Sequence, residues 1–510
     1  MTLFLILISL VVFSLIANLL PQYSKIFILI SILVVFFFYF FLSKNFFYVE
    51  HFYPKSNIQA YIPLGNYYNL LLRSLKNYKL YIVDDEKAPS LQVPNIYENY
   101  KNYVLQDNNM FSFFDTSFYK GKIYLYFGIT PVLLFYAPFN FVTNLYLTDK
   151  MLVFILSCLI FILSLILLKK ITGKVIKANS VPENIRVISV FFIGICSFLP
   201  FLLIKSNIYE VAITTAIFLL LVSFYIFYYY INTINTENST KQNILIFFLS
   251  MSLCLTVGAR PHCFLFIPIF FCAVVGLKYI NTKSVKNTIY SGLIFLIPCL
   301  IYGVVIALYN YLRFDSIFEF GWKYQLNDLR QYDYVLSIKD SLLALKYNLF
   351  QIPGIDANNV FSLVSVHGHR IGNEFVAGVV WTFPLIFILF LLPKYLREAF
   401  VKDKNAFYIT IFMMFVIIVN LIVTSFIGMI TRYFFEYMLF CVILSMILFY
   451  YLYDNVTSNR LKKILNIFFI LMFVYSAFIN VSLLFCENNA LFYARTSGDN
   501  YISVINFLFK

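Results

Sequence analysis

The sequence predicts an all-α polytopic membrane protein with about twelve transmembrane helices. Three observations predict it. Apolar residues make up 61% of the chain and charged residues only 12%. The mean hydropathy is +0.82 over 510 residues. Apolar runs close to the roughly 20 residues needed to cross a hydrocarbon core about 30 Å thick recur along most of the length. No soluble domain of ordinary size fits between them, so 1–510 is read as a single integral membrane domain.

Taken in order, the expected spans are 2–20, 25–43, 150–170, 187–204, 209–231, 243–258, 262–279, 288–312, 375–393, 405–426, 433–453 and 464–485. The first lacks the basic leader and small-residue cleavage site of a secretory signal and is read as a retained span. Short basic loops orient the rest. Lys169, Lys170, Lys174, Lys177 and Arg186 form one cytoplasmic cluster, and Lys278, Lys283 and Lys286 a second. Lys394, Arg397, Lys402 and Lys404, and then Arg460, Lys462 and Lys463, complete the pattern. The net charge of +14 is therefore an orientation signal, not a nucleic-acid surface. With both termini outside, 44–149 and 313–374 become large outer loops. A full span at 129–147 would invert every later loop, so "GITPVLLFYAPFNFVTNLYL" is expected to be an interfacial helix. Seven of the eight cysteines fall inside apolar runs and only Cys486 outside, which argues against a disulfide framework or a cysteine metal site.

Several short stretches carry a resemblance. "YYNLLLRSLKNYKLYI" (67–82) resembles a tyrosine-rich helix opening a first outer loop, and "DTSFYKGKIYLYFGITPVLLFY" (115–136) the turn and interfacial helix that close it. "FLPFLLIKSNIYEVAITTAIFLLL" (198–221), "LTVGARPHCFLFIPIF" (255–270), "YNYLRFDSIFEFGWKYQL" (309–326) and "RYFFEYMLF" (432–440) extend it. Together these are similar to the GT-C membrane glycosyltransferases of the protein O-mannosyltransferase and aminoarabinose-transferase type. The resemblance implies a GT-C-like fold. It also implies transfer of a hexosyl or pentosyl group from a lipid-linked, polyprenyl-phosphate sugar to a cell-envelope acceptor, at the outer face of a bacterial cytoplasmic membrane. One departure stands out: the acid that commonly precedes the tyrosine-rich helix is replaced here by Gly65 and Asn66. Either Asp115 or another loop carboxylate takes its place, or the chain is not a transferase.

Such a transferase needs a carboxylate to deprotonate the acceptor hydroxyl and cations for the departing phosphate. Asp115 precedes the interfacial helix and is the candidate base; a solvated loop aspartate or helix cap is the plainer alternative. Glu210 opens a span, where an ionisable group is costly unless it faces a cavity or partner, and is the second catalytic candidate. Arg260, in "GARPH", can hold a phosphate through its guanidinium or simply contact lipid headgroups. Arg432 and Glu436 are four apart on one helix face, giving an ion pair or a second phosphate contact. Lys122 and Arg313 complete the candidate substrate contacts, with Asp315, Glu319 and Lys323 adding charge in an aromatic setting suited to sugar stacking. Asp84, Asp85 and Glu86 could bind a divalent cation, although adjacent acids in such a loop are commonly only solvated. His367 and His369 lack a third ligand at a recognisable spacing. No metal site is assigned.

Two other classes compete. A transporter or lipid flippase would place broken helices or charges near the midplane and show two comparable halves, whereas the charges here gather at one rim. A non-catalytic assembly protein would account for the acid missing at Gly65 and Asn66.

Overall fold

A computed structural model describes residues 2–43, 67–84, 115–177, 180–234, 239–326, 338–353, 377–427 and 431–484. Among these, ten helices are long and apolar enough to cross a membrane, and Leu5–Leu19 and Val132–Thr143 form shorter apolar helices. The chain is an all-α polytopic membrane protein. Its residues group into two compact units, 1–42 with 157–204 and 336–510, and 43–156 with 205–335.

In the first unit the helix Glu183–Ile195 is buried along almost its whole length. It packs against Thr2–Leu19, Ser24–Leu42 and Asn459–Leu484. The approach is close at Gly194, where a Cβ would lie 2.6 Å from Val35, and the Tyr39 hydroxyl donates to the Gly194 carbonyl at 2.8 Å. Phe435–Asn455 is the other buried helix. The expected span 375–393 differs from a single helix. A four-residue helix, Val379–Thr382, ends at Phe383, a 3₁₀ segment covers Pro384–Leu391, and Leu392–Lys402 follows as a separate helix. Pro384 is the cause, because it has no N–H to give and disfavours helical backbone in the residue before it. Hydropathy alone does not register this.

The second unit is built on Ile208–Thr233, Ser239–Val257, Phe266–Thr282 and Val285–Phe314. Small polar residues knit these apolar helices together, as expected where lipid gives no hydrophobic drive for association. Ser223 donates to Ser252 at 2.9 Å, and Ser252 donates to the Leu219 carbonyl at 2.9 Å. The stretch predicted as interfacial becomes a π-helical turn, Val132–Tyr136, continued by an α-helix, Ala137–Thr143, and closed by Asn144 in the left-handed region. Twelve residues rise only about 18 Å, too little to span. One stripe, Val132, Tyr136 and Asn140, is buried, while Phe141 and Val142 are exposed.

A small antiparallel sheet, with no counterpart among the elements expected from sequence, precedes this helix in the chain. Its strands are β1 (Val83–Asp84), β2 (Thr116–Tyr119) and β3 (Lys122–Leu125), in the order β1-β3-β2. Lys120 and Gly121, both at positive φ, make the tight turn between β2 and β3, the conformation that matches the twist of a two-residue hairpin. The pairing runs from Tyr119 opposite Lys122 to Thr116 opposite Leu125, which leaves Asp115 at the open end.

Candidate functional site

Asp115 sits where β2 begins, at φ 58°, a conformation aspartate tolerates better than most residues. It is only 8% exposed. Its backbone N–H donates to the Leu326 carbonyl at 2.8 Å, and the Leu326 N–H returns a bond to the Thr116 carbonyl at 2.7 Å. The chain after the helix Val285–Phe314 is thus laid along β2. That register puts the Gln325 amide 2.9 Å from Asp115 Oδ1. On the other side the Tyr209 hydroxyl donates to Asp115 Oδ2. Two residues from separate segments therefore fix the plane of a buried carboxylate. Tyr209 is itself held edge-on by Phe127, with ring centroids 5.1 Å apart.

Tyr209 owes its position to its neighbours. Asn207 and Glu210 form a reciprocal cap at the start of Ile208–Thr233, the Asn207 N–H donating to Glu210 Oε2 at 3.0 Å. Glu210 is 1% exposed. Its carboxylate satisfies a backbone donor that would otherwise be orphaned at the helix start, where the helix dipole also favours negative charge. Glu210 shapes the turn, and the adjacent side chain reaches Asp115.

A second polar cluster adjoins the short helix. Tyr136 donates a hydrogen bond to Asp149, the buried first residue of Asp149–Val175. The Tyr68 ring packs 5.4 Å from Tyr136. Burial first, then the Asp149 carboxylate, holds the Tyr68 phenol well above its ordinary range; Arg260 acts in the opposite sense, and Tyr309 adds to the rise. Arg260 is buried within electrostatic range of Tyr68, in extended backbone just before the turn Pro261–Leu265. The clusters share one stretch of chain. Leu125 accepts from Arg313 at 2.9 Å, Phe127 contacts Tyr209, and the Thr130 N–H donates to Gly258 at 3.3 Å, two residues before Arg260. At Gly128 the approach is closer still, since a Cβ there would lie 1.8 Å from the Gly258 carbonyl oxygen.

The structure thus gathers Asp115, Glu210, Arg260 and Arg313 around the segment 115–131. Arg313 stacks 3.9 Å over Tyr309, bonds Asn310 at 2.8 Å and tethers the end of β3, so its contacts are with the protein itself. Lys122 lies at the hairpin end, over Tyr81, about 13 Å along the strand from Asp115. Glu436 is buried in Phe435–Asn455 of the first unit, and Arg432 belongs to the short turn Thr431–Phe434 before it. The Arg432 side chain lies outside the described residues, as do Gly65, Asn66, Asp85, Glu86, His367, His369, Cys486 and the Asp84 side chain. Among the described residues no group of three His, Cys, Asp or Glu side chains forms a metal-ligand set. Tyr209, Gln325, Tyr68 and Asp149 were not singled out from sequence. Only Asp149, an acid at the very start of a 27-residue apolar helix, carried a readable signal.

No protein-family model matches the chain, and no curated protein sequence does. Two solved structures are similar over most of its length. One is the oligosaccharyltransferase of Archaeoglobus fulgidus in the apo form, with a TM-score of 0.44 and 13% identity, covering 95% of this chain. The other is the archaeal oligosaccharyltransferase AglB from Archaeoglobus fulgidus in complex with an inhibitory peptide and a dolichol-phosphate, with a TM-score of 0.47 and 12% identity over 96%. This chain covers 60% of the length of each.

Proposed function

We propose that this protein is a membrane glycosyltransferase that moves a sugar from a polyprenyl-phosphate donor to an acceptor hydroxyl, with Asp115 as the general base. The observation that carries the proposal is the clamp on Asp115. A buried carboxylate oriented by a tyrosine and a glutamine is what proton abstraction from a hydroxyl requires. A helix too short to cross a bilayer, Val132–Thr143, follows the hairpin that Asp115 opens, where a lipid phosphate would lie. Arg260, on the turn against which that segment packs, is the phosphate contact in this scheme, its guanidinium offering paired donors to the leaving group. The acceptor belongs to the cell envelope, and the reaction takes place on the outer face of a bacterial cytoplasmic membrane. The dolichol-phosphate named in the AglB complex is a lipid of the same chemical class. Lipid-linked sugars profiled in a deletion strain should show one glycosyl carrier accumulating. An unchanged profile would overturn the proposal.

Two further outcomes follow from the geometry. Tyr209→Phe removes one of the two bonds that orient the carboxylate. Bonds to charged groups contribute about 1.5–3 kcal/mol, so kcat is expected to fall roughly ten- to hundredfold with the donor KM little changed. A rise in KM at constant kcat would show that Tyr209 acts in donor binding instead. Sidedness is tested in a cysteine-free background with Lys120→Cys and Lys323→Cys. Both positions are expected to react with an impermeant thiol reagent added to intact cells. Reaction at either one only after the membrane is breached would reverse the orientation.

A further inference from the structure

We infer that the turn from Ile317 to Trp322 is an apolar wedge seated in the interfacial zone of the bilayer, and that it holds the Gln325 arm of the Asp115 clamp at headgroup level. The helix Val285–Phe314 presents Leu300, Val304, Leu308, Tyr311 and Leu312 on an exposed stripe. In a membrane protein such a stripe faces the acyl chains. Asp315, in the left-handed region, ends that helix. The chain then displays Ile317, Phe318, Phe320 and Trp322, with Phe318 84% and Trp322 52% exposed. The apolar surface of the span thus continues past its end, and the bilayer is the occupant that covers both.

Local structure shows that these side chains are presented by a fixed turn. Glu319 Oε1 accepts from the Gly321 N–H at 2.7 Å and the Lys323 N–H at 3.3 Å. The Ser117 hydroxyl donates to the Gly321 carbonyl at 2.9 Å, pinning the turn to β2. Gly321 has φ +95°, and a Cβ there would meet Ser117 Oγ at 2.3 Å, so only glycine serves. Charge surrounds the wedge at both ends. Asp315 pairs with Lys120 on one side, and Lys323 follows Trp322 on the other. Apolar and aromatic side chains flanked by charges, with tryptophan at the boundary, are the pattern of membrane-interface contacts. Gln325 follows three residues after Trp322, so the depth of the wedge sets the depth of the Asp115 carboxylate.

The chain has two tryptophans, Trp322 and Trp381, so emission can be assigned. Trp381→Phe leaves Trp322 alone, and Trp322→Phe supplies the Trp381 signal for subtraction should the first variant fold poorly. Each protein is reconstituted into phosphatidylcholine vesicles carrying bromine either near the head or near the methyl end of the acyl chains. The expected result is loss of Trp322 emission that is strongest with bromine near the head and weakest with bromine at the chain end, with little loss to aqueous iodide. Quenching by iodide with no response to either bromolipid would overturn the inference and show a water-facing aromatic platform. Strongest quenching by bromine at the chain end would overturn it equally, placing the turn in the hydrocarbon core. Neither reading depends on which group the protein transfers.

Discussion

Replacing Asp115 by asparagine is expected to lower sugar transfer by about 10²–10⁴-fold, the usual loss when a general base is removed. The substitution keeps shape and volume. Gln325 can still donate to an amide oxygen, and the Tyr209 hydroxyl, which carries lone pairs as well as a proton, can turn to accept from the new amide. The variant should therefore insert, purify and melt like the parent while failing to turn over. Two measurements on one preparation check this: thermal unfolding in detergent, and conversion of a labelled lipid-linked sugar. Retained turnover with an unchanged melt would remove Asp115 from the reaction. Loss of both fold and turnover would make the clamp a structural element rather than a poised base.

The second large effect concerns a residue with no side chain. Gly128→Ala places a methyl group 1.8 Å from the Gly258 carbonyl oxygen and 2.7 Å from its carbon, both backbone atoms that no rotamer change can move aside. The turns 128–130 and 258–260 must separate, at roughly 3 kcal/mol or more, the upper end of over-packing costs. Separation also breaks the bond from Thr130 to Gly258 and shifts Arg260 relative to Tyr68, whose phenol feels its charge. Stability and transfer should both fall. Gly258→Ala is the informative comparison. Its methyl group meets the Tyr302 hydroxyl and Thr130 Oγ1, side-chain tips with some freedom to move, so its melting temperature should lie between those of the parent and Gly128→Ala. A Gly128→Ala protein as stable as the parent would contradict the turn-on-turn packing.

Most of the helical framework was legible in the sequence because crossing a bilayer leaves a strong linear record. A helix such as Ile208–Thr233, expected at 209–231, has to be apolar throughout, and an asparagine three residues before a glutamate marks its start. The shortness of Val132–Thr143 could also be inferred, since a full span there conflicts with the basic loops. Other features left weaker records. The hairpin around Lys120 and Gly121 has alternating strands and a suitable turn, but each strand is only four residues long and is set among apolar helices. The 375–393 region is apolar enough to pass for a span, although Pro384 interrupts it and Pro393 stands at its end. Of the clamp, Asp115 was visible as a lone acid ahead of a helix. Tyr209 and Gln325 were not, because they meet it through pairings that separate them by 94 and 210 positions. Glu210 drew the attention that its neighbour warranted.

The π-helical turn Val132–Tyr136 acts as a phase adjuster between the two polar clusters. Upstream of it, Gly128 and Thr130 must meet Gly258; downstream, Tyr136 must point at Asp149. An ordinary α-turn advances about 100° per residue, so removing the extra residue that widens this turn would rotate one set of contacts by roughly that angle relative to the other. The two clusters are therefore coupled by chain length as well as by composition. Homologous chains that keep both are expected to differ at almost any apolar position between Pro131 and Ala137, yet to preserve the number of residues separating them.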